Sequence, residues 1–205
     1  WCKGLKGEGE NVGKLVEKGK SQFAGPEISG KTLGLIGLGA IGRLVADSAI
    51  ALGMKVIGFD AFLSDEAKAL LNSNVELVGS VDEIYENADY ISLHIPATAE
   101  TKQSINAALV GSMKNGGIVV NTARKEVINE PELIQLMNER TDIKYLTDIM
   151  PDAHDEFSKL EGRYFSTPKK MGAQTAEANI NAGIAAAKQI NAYFATGDTK
   201  FQVNK

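Results

Sequence analysis

The sequence is nearly free of cysteine: Cys2 is the only one among 205 residues. No disulfide can form within the chain, and a reducing cytoplasmic setting is expected. No stretch approaches the ~20 apolar residues of a membrane span, and no secretory leader is visible. An excess of positive charge is also missing. With 22 Lys and Arg against 26 Asp and Glu, the formal net charge is −4. No electrostatic argument therefore favours nucleic acid or an anionic membrane as a partner. Proline is scarce, at 5 residues against 21 glycines, while 43% of residues are hydrophobic and 23% charged. Those fractions exclude disorder, a collagen-like repeat and a disulfide scaffold. The chain opens on Trp1 rather than Met, in a stretch to Lys20 rich in Lys, Gly and Glu. It reads as an excised or trimmed piece of a longer product. At roughly 150 residues per domain, the length suits one large domain or one domain with an appendage.

Residues 1–30 hold one modest helical patch, Asn11 to Lys18, then a loop with Gly25, Pro26 and Gly30. From Lys31 onward short apolar runs alternate with helix-like stretches. The predicted strands are Thr32–Gly37, Lys55–Phe59, Val75–Val78, Tyr90–Ile95, Ile118–Thr122, Tyr145–Ile149 and Tyr164–Thr167. Several are apolar without alternation, as in Ile118, Val119 and Val120, which is how a strand buried on both faces reads. Between them lie helix candidates Ile41–Leu52, Asp65–Leu71, Val81–Glu86, Asn106–Val110 and Glu130–Met137. The alternation predicts an α/β fold with a doubly wound, Rossmann-type parallel sheet. A longer helix is expected over Ala176–Phe194, where Ile180, Ile184, Ala187, Ile190 and Phe194 recur at helical spacing. Thr175 suits its N-cap and Gly197 its stop.

Gly37-Leu38-Gly39-Ala40-Ile41-Gly42 carries the most specific chemistry. It follows an apolar strand and opens a helix, the context that turns a weak glycine pattern into a dinucleotide fingerprint. Gly37 allows the tight turn, Gly39 lets backbone approach a pyrophosphate, and Gly42 allows close helix–strand packing. N–H groups at the helix start, on Ala40 and Ile41, would hold the phosphates. Asp60 ends the second strand 18 residues after Gly42, where the adenosine ribose is read. A carboxylate there repels a 2′-phosphate, and Ala61 and Phe62 supply no cation, so NAD is expected over NADP. No metal is expected.

Further motifs come in order along the chain: Gly-Lys-Thr-Leu-Gly-Leu-Ile-Gly-Leu-Gly (30–39), Leu-His-Ile-Pro (93–96), Asn-Thr-Ala-Arg (121–124), Thr-Asp-Ile (147–149) and Lys-Met-Gly-Ala-Gln-Thr (170–175). With them the chain resembles the nucleotide-binding domain of the D-2-hydroxyacid dehydrogenase family, from about Ile28 to Asn204. Within that family it is most similar to the branch with lysine at the position of the catalytic base. The resemblance implies that Arg124 binds the substrate carboxylate and carbonyl oxygen, a bidentate task suited to guanidinium. It implies that Asp148 approaches the nicotinamide carboxamide and that Pro96 and Thr98 line the adenosine side, although Thr98 is open to a turn-capping role instead. Thr122, Ala123, Arg124 and Gly172 complete the implied cofactor contacts. His94 ends a strand at the cofactor edge, where a packed, hydrogen-bonded role is favoured over catalysis. His154 is expected to be solvated in a polar loop.

The sequence also departs from the family. Lys125 stands where glycine is usual. The usual His–Glu proton-transfer pair is replaced by Lys170 and Ala153. A lysine begins near pKa ~10.4 and must fall toward neutrality to act as a base. A carboxylate beside it would oppose that fall, whereas burial and a nearby arginine would assist it. Losing the Glu is thus consistent with a working lysine base. Lys169 remains open as the base, because the segment after Pro168 is one residue longer than the common pattern.

The expected organisation is an N-terminal arm (1–27), an NAD-binding domain (28–174) and a long helix with a tail (175–205) that returns to a substrate domain mostly missing from this chain. The expected activity is reversible hydride transfer between a D-2-hydroxy acid and NAD. 3-Phosphoglycerate, and with it the first step of serine synthesis, is favoured by resemblance alone. NAD binding with slow or no turnover is the expectation for this chain by itself. The alternative is an NAD(H)-sensing binding module without chemistry, like the corepressor relatives. A homodimer is expected, with residues 1–24 reaching to the partner.

Overall fold

The apolar runs in the middle of the sheet become strands because they are covered on both faces, while the two edge strands stay partly exposed. In the computed structural model, which describes residues 1–204, seven strands form one fully parallel sheet. They are β1 (Thr32–Ile36), β2 (Lys55–Phe59), β3 (Val75–Leu77), β4 (Tyr90–Leu93), β5 (Ile118–Asn121), β6 (Lys144–Thr147) and β7 (Tyr164–Ser166). Their order is β3-β2-β1-β4-β5-β6-β7. The order reverses between β1 and β4, and in open α/β sheets ligands bind outside the carboxyl ends of the strands at such a switch.

Among the described residues eight α-helices accompany the sheet: α1 (Val12–Gly19), α2 (Ala40–Ala51), α3 (Asp65–Lys68), α4 (Val81–Asn87), α5 (Ala107–Gly111), α6 (Glu130–Glu139), α7 (His154–Ser158) and α8 (Ala176–Thr196). Five begin on a side chain that accepts a first-turn N–H: Ser64 for α3, Ser80 for α4, Asn106 for α5, Asn129 for α6 and Thr175 for α8. Each such cap contributes about 1 kcal/mol.

The alternation within β1 divides the core. Leu33 and Leu35 pack with Ala46 and Ala49 of α2 and with Val56 of β2. Gly34 faces the other way, against Ile84 of α4, and Ile36 joins the larger cluster of Ile84, Ile91, Leu93, Val119, Leu133 and Tyr145. Two faces and two helical layers make the doubly wound arrangement.

All seven predicted strands form, ending one or two residues early at several carboxyl ends. The helix expected over Asp65–Leu71 stops at Lys68. The solvated loop expected around His154 is a correction. His154 opens α7, is half-buried, and its Nδ1 lies 2.9 Å from the Tyr164 hydroxyl. Buried Phe157 and half-buried Tyr164 stack with ring centroids 5.1 Å apart, so α7 folds onto β7.

The two ends of the chain differ from the middle. No residue in 1–30 is buried, although α1 half-buries Val12, Leu15 and Val16 and Trp1 packs on Phe23. The 21 residues of α8, about 32 Å at ~1.5 Å per residue, also include none that is buried. Gly197 ends α8 in the left-handed region (φ 72°), its N–H donating to Tyr193 O. Of the segment 175–205, Lys205 lies outside the described residues. No helix among the described residues is long and apolar enough to cross a membrane.

Candidate functional site

The carboxyl ends of β1, β2, β4, β5 and β6 meet at one edge. At the end of β1, Gly37 adopts φ 95°, a conformation that strains any other residue. A Cβ on it would lie 2.6 Å from the carbonyl oxygen of His94. Gly42, inside the first turn of α2, presses onto the Gly37 carbonyl, so a Cβ there would overlap that oxygen. Gly39 is the N-cap of α2 and has open space where a side chain would stand. With no side chain capping α2, the N–H groups that begin it, on Ala40 and Ile41, face the open edge. These features fit a dinucleotide: a cradle that a Cβ would fill, beside uncapped donors.

Asp60 has a structural task besides the ribose contact expected of it. Its Oδ2 accepts the Leu38 N–H at 2.8 Å and its Oδ1 accepts the Phe62 N–H at 2.9 Å. The carboxylate thus braces the glycine-rich turn and keeps lone pairs for a further donor.

His94 follows β4 with its Nε2 3.0 Å from Ser92 Oγ. Its ring edge faces Gly42, and burial pushes the imidazole below the usual histidine range, keeping it neutral at pH 7. This is the packed, hydrogen-bonded histidine that was expected. In the next loop Thr101 Oγ1 donates to Pro96 O and accepts the Thr98 N–H at 2.7 Å. Pro96 and Thr98 are exposed, and Thr98 is tied into the turn by Thr101.

At the end of β5, Arg124 Nη1 donates to Ala123 O at 2.8 Å. From the segment after β7, Lys170 Nζ donates to Thr122 O at 2.8 Å and to the same Ala123 O at 3.3 Å. The two cations named from the sequence therefore share one acceptor, and Lys170 rather than Lys169 reaches it. Thr167 Oγ1 ties this segment to β6, donating to Asp148 O at 2.8 Å. Asp148 keeps Oδ1 buried with no hydrogen-bond partner, while Oδ2 lies 3.7 Å from where a Cβ on Gly172 would be. An orphaned carboxylate oxygen in such a place is suited to an amide N–H from a ligand.

The departures from the family pattern also find places. Lys125 has ordinary negative φ and opens a short 3-10 turn, so glycine is not required there. Its ammonium pairs with Asp152, which holds it above the usual lysine range. The Glu130 carboxylate accepts the N–H groups of Asp152 at 3.1 Å and Ala153 at 2.7 Å. A carboxylate thus stands beside position 153, but it is turned to the backbone.

Sequence reasoning missed the buried polar side chains behind these residues, Ser92, Asn121 and Thr147. Asn121 had a signal: a polar residue ending the apolar run Ile118, Val119 and Val120.

Fold and site together define a Rossmann-type dinucleotide-binding domain. The sequence matches the family "D-isomer specific 2-hydroxyacid dehydrogenase, NAD binding domain" over residues 7–165, and the chain belongs to that family. It is 36% identical over 179 residues to the D-3-phosphoglycerate dehydrogenase of Methanocaldococcus jannaschii, covering 86% of this chain and 34% of that protein. It is 38% identical over 176 residues to the hydroxypyruvate reductase of Thermotoga maritima, covering 83% of this chain and 55% of that protein. The crystal structure of NAD+-bound 3-phosphoglycerate dehydrogenase from Entamoeba histolytica is similar with a TM-score of 0.78 at 41% identity, over 95% of this chain and 62% of that one. The chain thus spans about a third of the length of the curated phosphoglycerate dehydrogenases it matches.

The glycines yield a paired prediction. Gly42→Ala should cost about 1–3 kcal/mol through overpacking against backbone, lowering Tm by several degrees. Gly39→Ala should leave Tm unchanged in the absence of ligand yet weaken NAD binding in a calorimetric titration. Equal behaviour of the two variants would contradict the division of roles.

Proposed function

We propose that this chain is the cofactor-binding part of an enzyme that moves hydride between a D-2-hydroxy acid and NAD, with 3-phosphoglycerate the favoured acid. The convergence of Arg124 and Lys170 on Ala123 O carries the reading. A hydroxy acid brought to this edge offers a carboxylate, a hydroxyl proton and a carbon-bound hydride. Arg124 pairs with the carboxylate through two parallel N–H donors, fixing the acid's orientation. Its charge also stabilises the negative oxygen that develops as the hydroxyl proton leaves. Lys170 takes that proton and returns it in the reverse reaction. Bound NAD supplies the hydride acceptor. Gly37, Gly39 and Gly42 shape its pyrophosphate site, Ala40 and Ile41 N–H groups meet the phosphates, and Asp60 reads the ribose. Pro96 and Thr98 would line its adenosine side, His94 would stand at the cofactor edge, Thr122, Ala123 and Gly172 would add further contacts, and Asp148 would accept from the carboxamide.

The proposed organisation is an arm (1–27), the cofactor domain (28–174) and a helix with its tail (175–205). A binding module that only senses NAD(H) would leave the paired cations without a task. The decisive experiment is Lys170→Ala in the full-length protein. It should cut kcat by ~10²–10⁴, as loss of a general base does, with NAD affinity little changed. Near-normal turnover in that variant, with Lys169→Ala inactive, would move the base by one residue.

Cofactor choice rests on Asp60. NAD should raise Tm of this chain far more than NADP, and Asp60→Ala should narrow the gap. Equal stabilisation of the unaltered chain by both would refute the assignment.

We also propose a homodimer of a cytoplasmic protein. The arm and α8 expose apolar side chains, among them Phe23 and Ile184, and bury none. Sedimentation at micromolar concentration should report a dimer, and a monomer would overturn this.

A further inference from the structure

Asn121 is the last residue of β5 and is 0% exposed. A buried primary amide costs free energy unless its donors and acceptor are used, and here they are. Oδ1 accepts the Ala123 N–H at 3.0 Å, while Nδ2 donates to Arg124 O at 2.9 Å and toward the Tyr145 hydroxyl at 3.4 Å. Chemistry fixes the orientation of this amide. Only its oxygen can meet an N–H, and only its nitrogen can meet a carbonyl.

These bonds close a tight turn over Asn121–Arg124 just where the ladder to β6 ends, at the pair Asn121↔Thr147. That turn carries both cationic contacts described above. Arg124 projects from it, and the carbonyls of Thr122 and Ala123 that receive Lys170 belong to it. Tyr145, across the ladder, anchors the far side of the amide. Its ring is buried against Phe157 at 5.3 Å between centroids. Burial pushes its hydroxyl up to about 12, so it remains protonated and able to hydrogen-bond at any working pH.

We propose that Asn121 is a positioning residue: its buried amide sets the spacing between Arg124 and Lys170. The inference rests on the proposed roles of those two residues, and Asn121 itself touches neither substrate nor cofactor. Loss of the amide leaves the Ala123 N–H and Arg124 O without partners, so the turn relaxes and the guanidinium moves away from the Lys170 ammonium. A misplacement of ~1 Å in such a constellation costs on the order of 10²-fold in rate. Cofactor affinity is set mainly at the glycine-rich turn and is left nearly intact.

Thr147 suggests the variant that tests this. At the corresponding end of β6 its hydroxyl accepts the Ile149 N–H at 3.1 Å and donates to Ile149 O at 2.9 Å. A threonine at the strand end can therefore close the same kind of turn. In the full-length protein, Asn121→Ala should raise KM for the hydroxy acid and lower kcat, together on the order of 10²-fold in kcat/KM. The Kd for NAD, read by titration, should stay within about threefold on the same argument. Asn121→Thr should recover most of the loss. Arg124→Ala is the control on the underlying reading. If Arg124→Ala retains normal turnover, the proposed role of Arg124 fails and the inference fails with it. If Arg124→Ala is inactive but Asn121→Ala keeps KM and kcat while only Tm falls, the amide is structural and the inference alone is overturned. Should Asn121→Ala not fold, Asn121→Asp decides. It keeps the acceptor for Ala123 but cannot donate to Arg124 O, so unchanged KM and kcat there would equally overturn the proposal.

Discussion

The cofactor edge depends on how closely α2 begins against the end of β1. Gly42 touches the Gly37 carbonyl, and Gly37 in turn touches the His94 carbonyl at the end of β4. Three backbones therefore meet where ordinary side chains would hold them apart. The gain is an open surface. With the helix start drawn against the strand, its uncapped N–H groups and the open space at Gly39 lie at the switch between β1 and β4. Asp60 draws β2 into the same knot through the Leu38 N–H. One substitution at Gly42 would disturb the packing of β1, β4 and α2 together.

The same edge poses a second problem: the ladder stops, and the next backbone groups need partners. Among the described residues three polar side chains are buried, Ser92 on β4, Asn121 on β5 and Thr147 on β6. Asn121 and Thr147 lie side by side, paired across the ladder, while Ser92 pairs with Val120 one residue earlier. Each acts on the residues just after it in the chain. Ser92 meets His94, Asn121 braces Ala123 and Arg124, and Thr147 holds Ile149 beside Asp148. Asn121 and Thr147 thus supply backbone partners beyond the ladder, and Ser92 fixes the His94 ring. Apolar replacements would pack as well but would leave the turns beyond the strands unpartnered.

Much of this was legible in the residues. The central strands could be read because a two-sided burial demands continuous apolar runs, and Ile118–Val120 has little other explanation. The glycine spacing and Asp60 located the cofactor edge for a similar reason, since few other contacts need three glycines at that spacing. The short helices were harder. α7 has one buried apolar residue, Phe157, and five residues leave no periodicity to detect. His154 therefore read as solvated, although its partner Tyr164 lies ten residues on. Hydrogen-bond direction was equally hidden. Composition shows an Asn after an apolar run, but only tertiary structure shows which backbone groups its amide meets.

The three departures at 125, 153 and 170 make joint physical sense. A lysine serving as a base is helped by neighbours that disfavour positive charge and hindered by a free carboxylate at close range. Besides Asp148, whose Oδ1 has no partner, the carboxylates of Glu130 and Asp152 stand on neighbouring loops, and both are bound elsewhere. Glu130 is held by the N–H groups of Asp152 and Ala153, and Asp152 is held by Lys125. With glycine at 125, Asp152 would lose its cation; with Glu at 153, a further carboxylate would enter. Lys170 instead meets two neutral carbonyls and shares one of them with the Arg124 guanidinium. On the proposed mechanism, Lys125 is then more than a tolerated replacement for glycine. It engages Asp152 as the backbone engages Glu130, which leaves Asp148 as the carboxylate of this edge with an oxygen still open to a ligand.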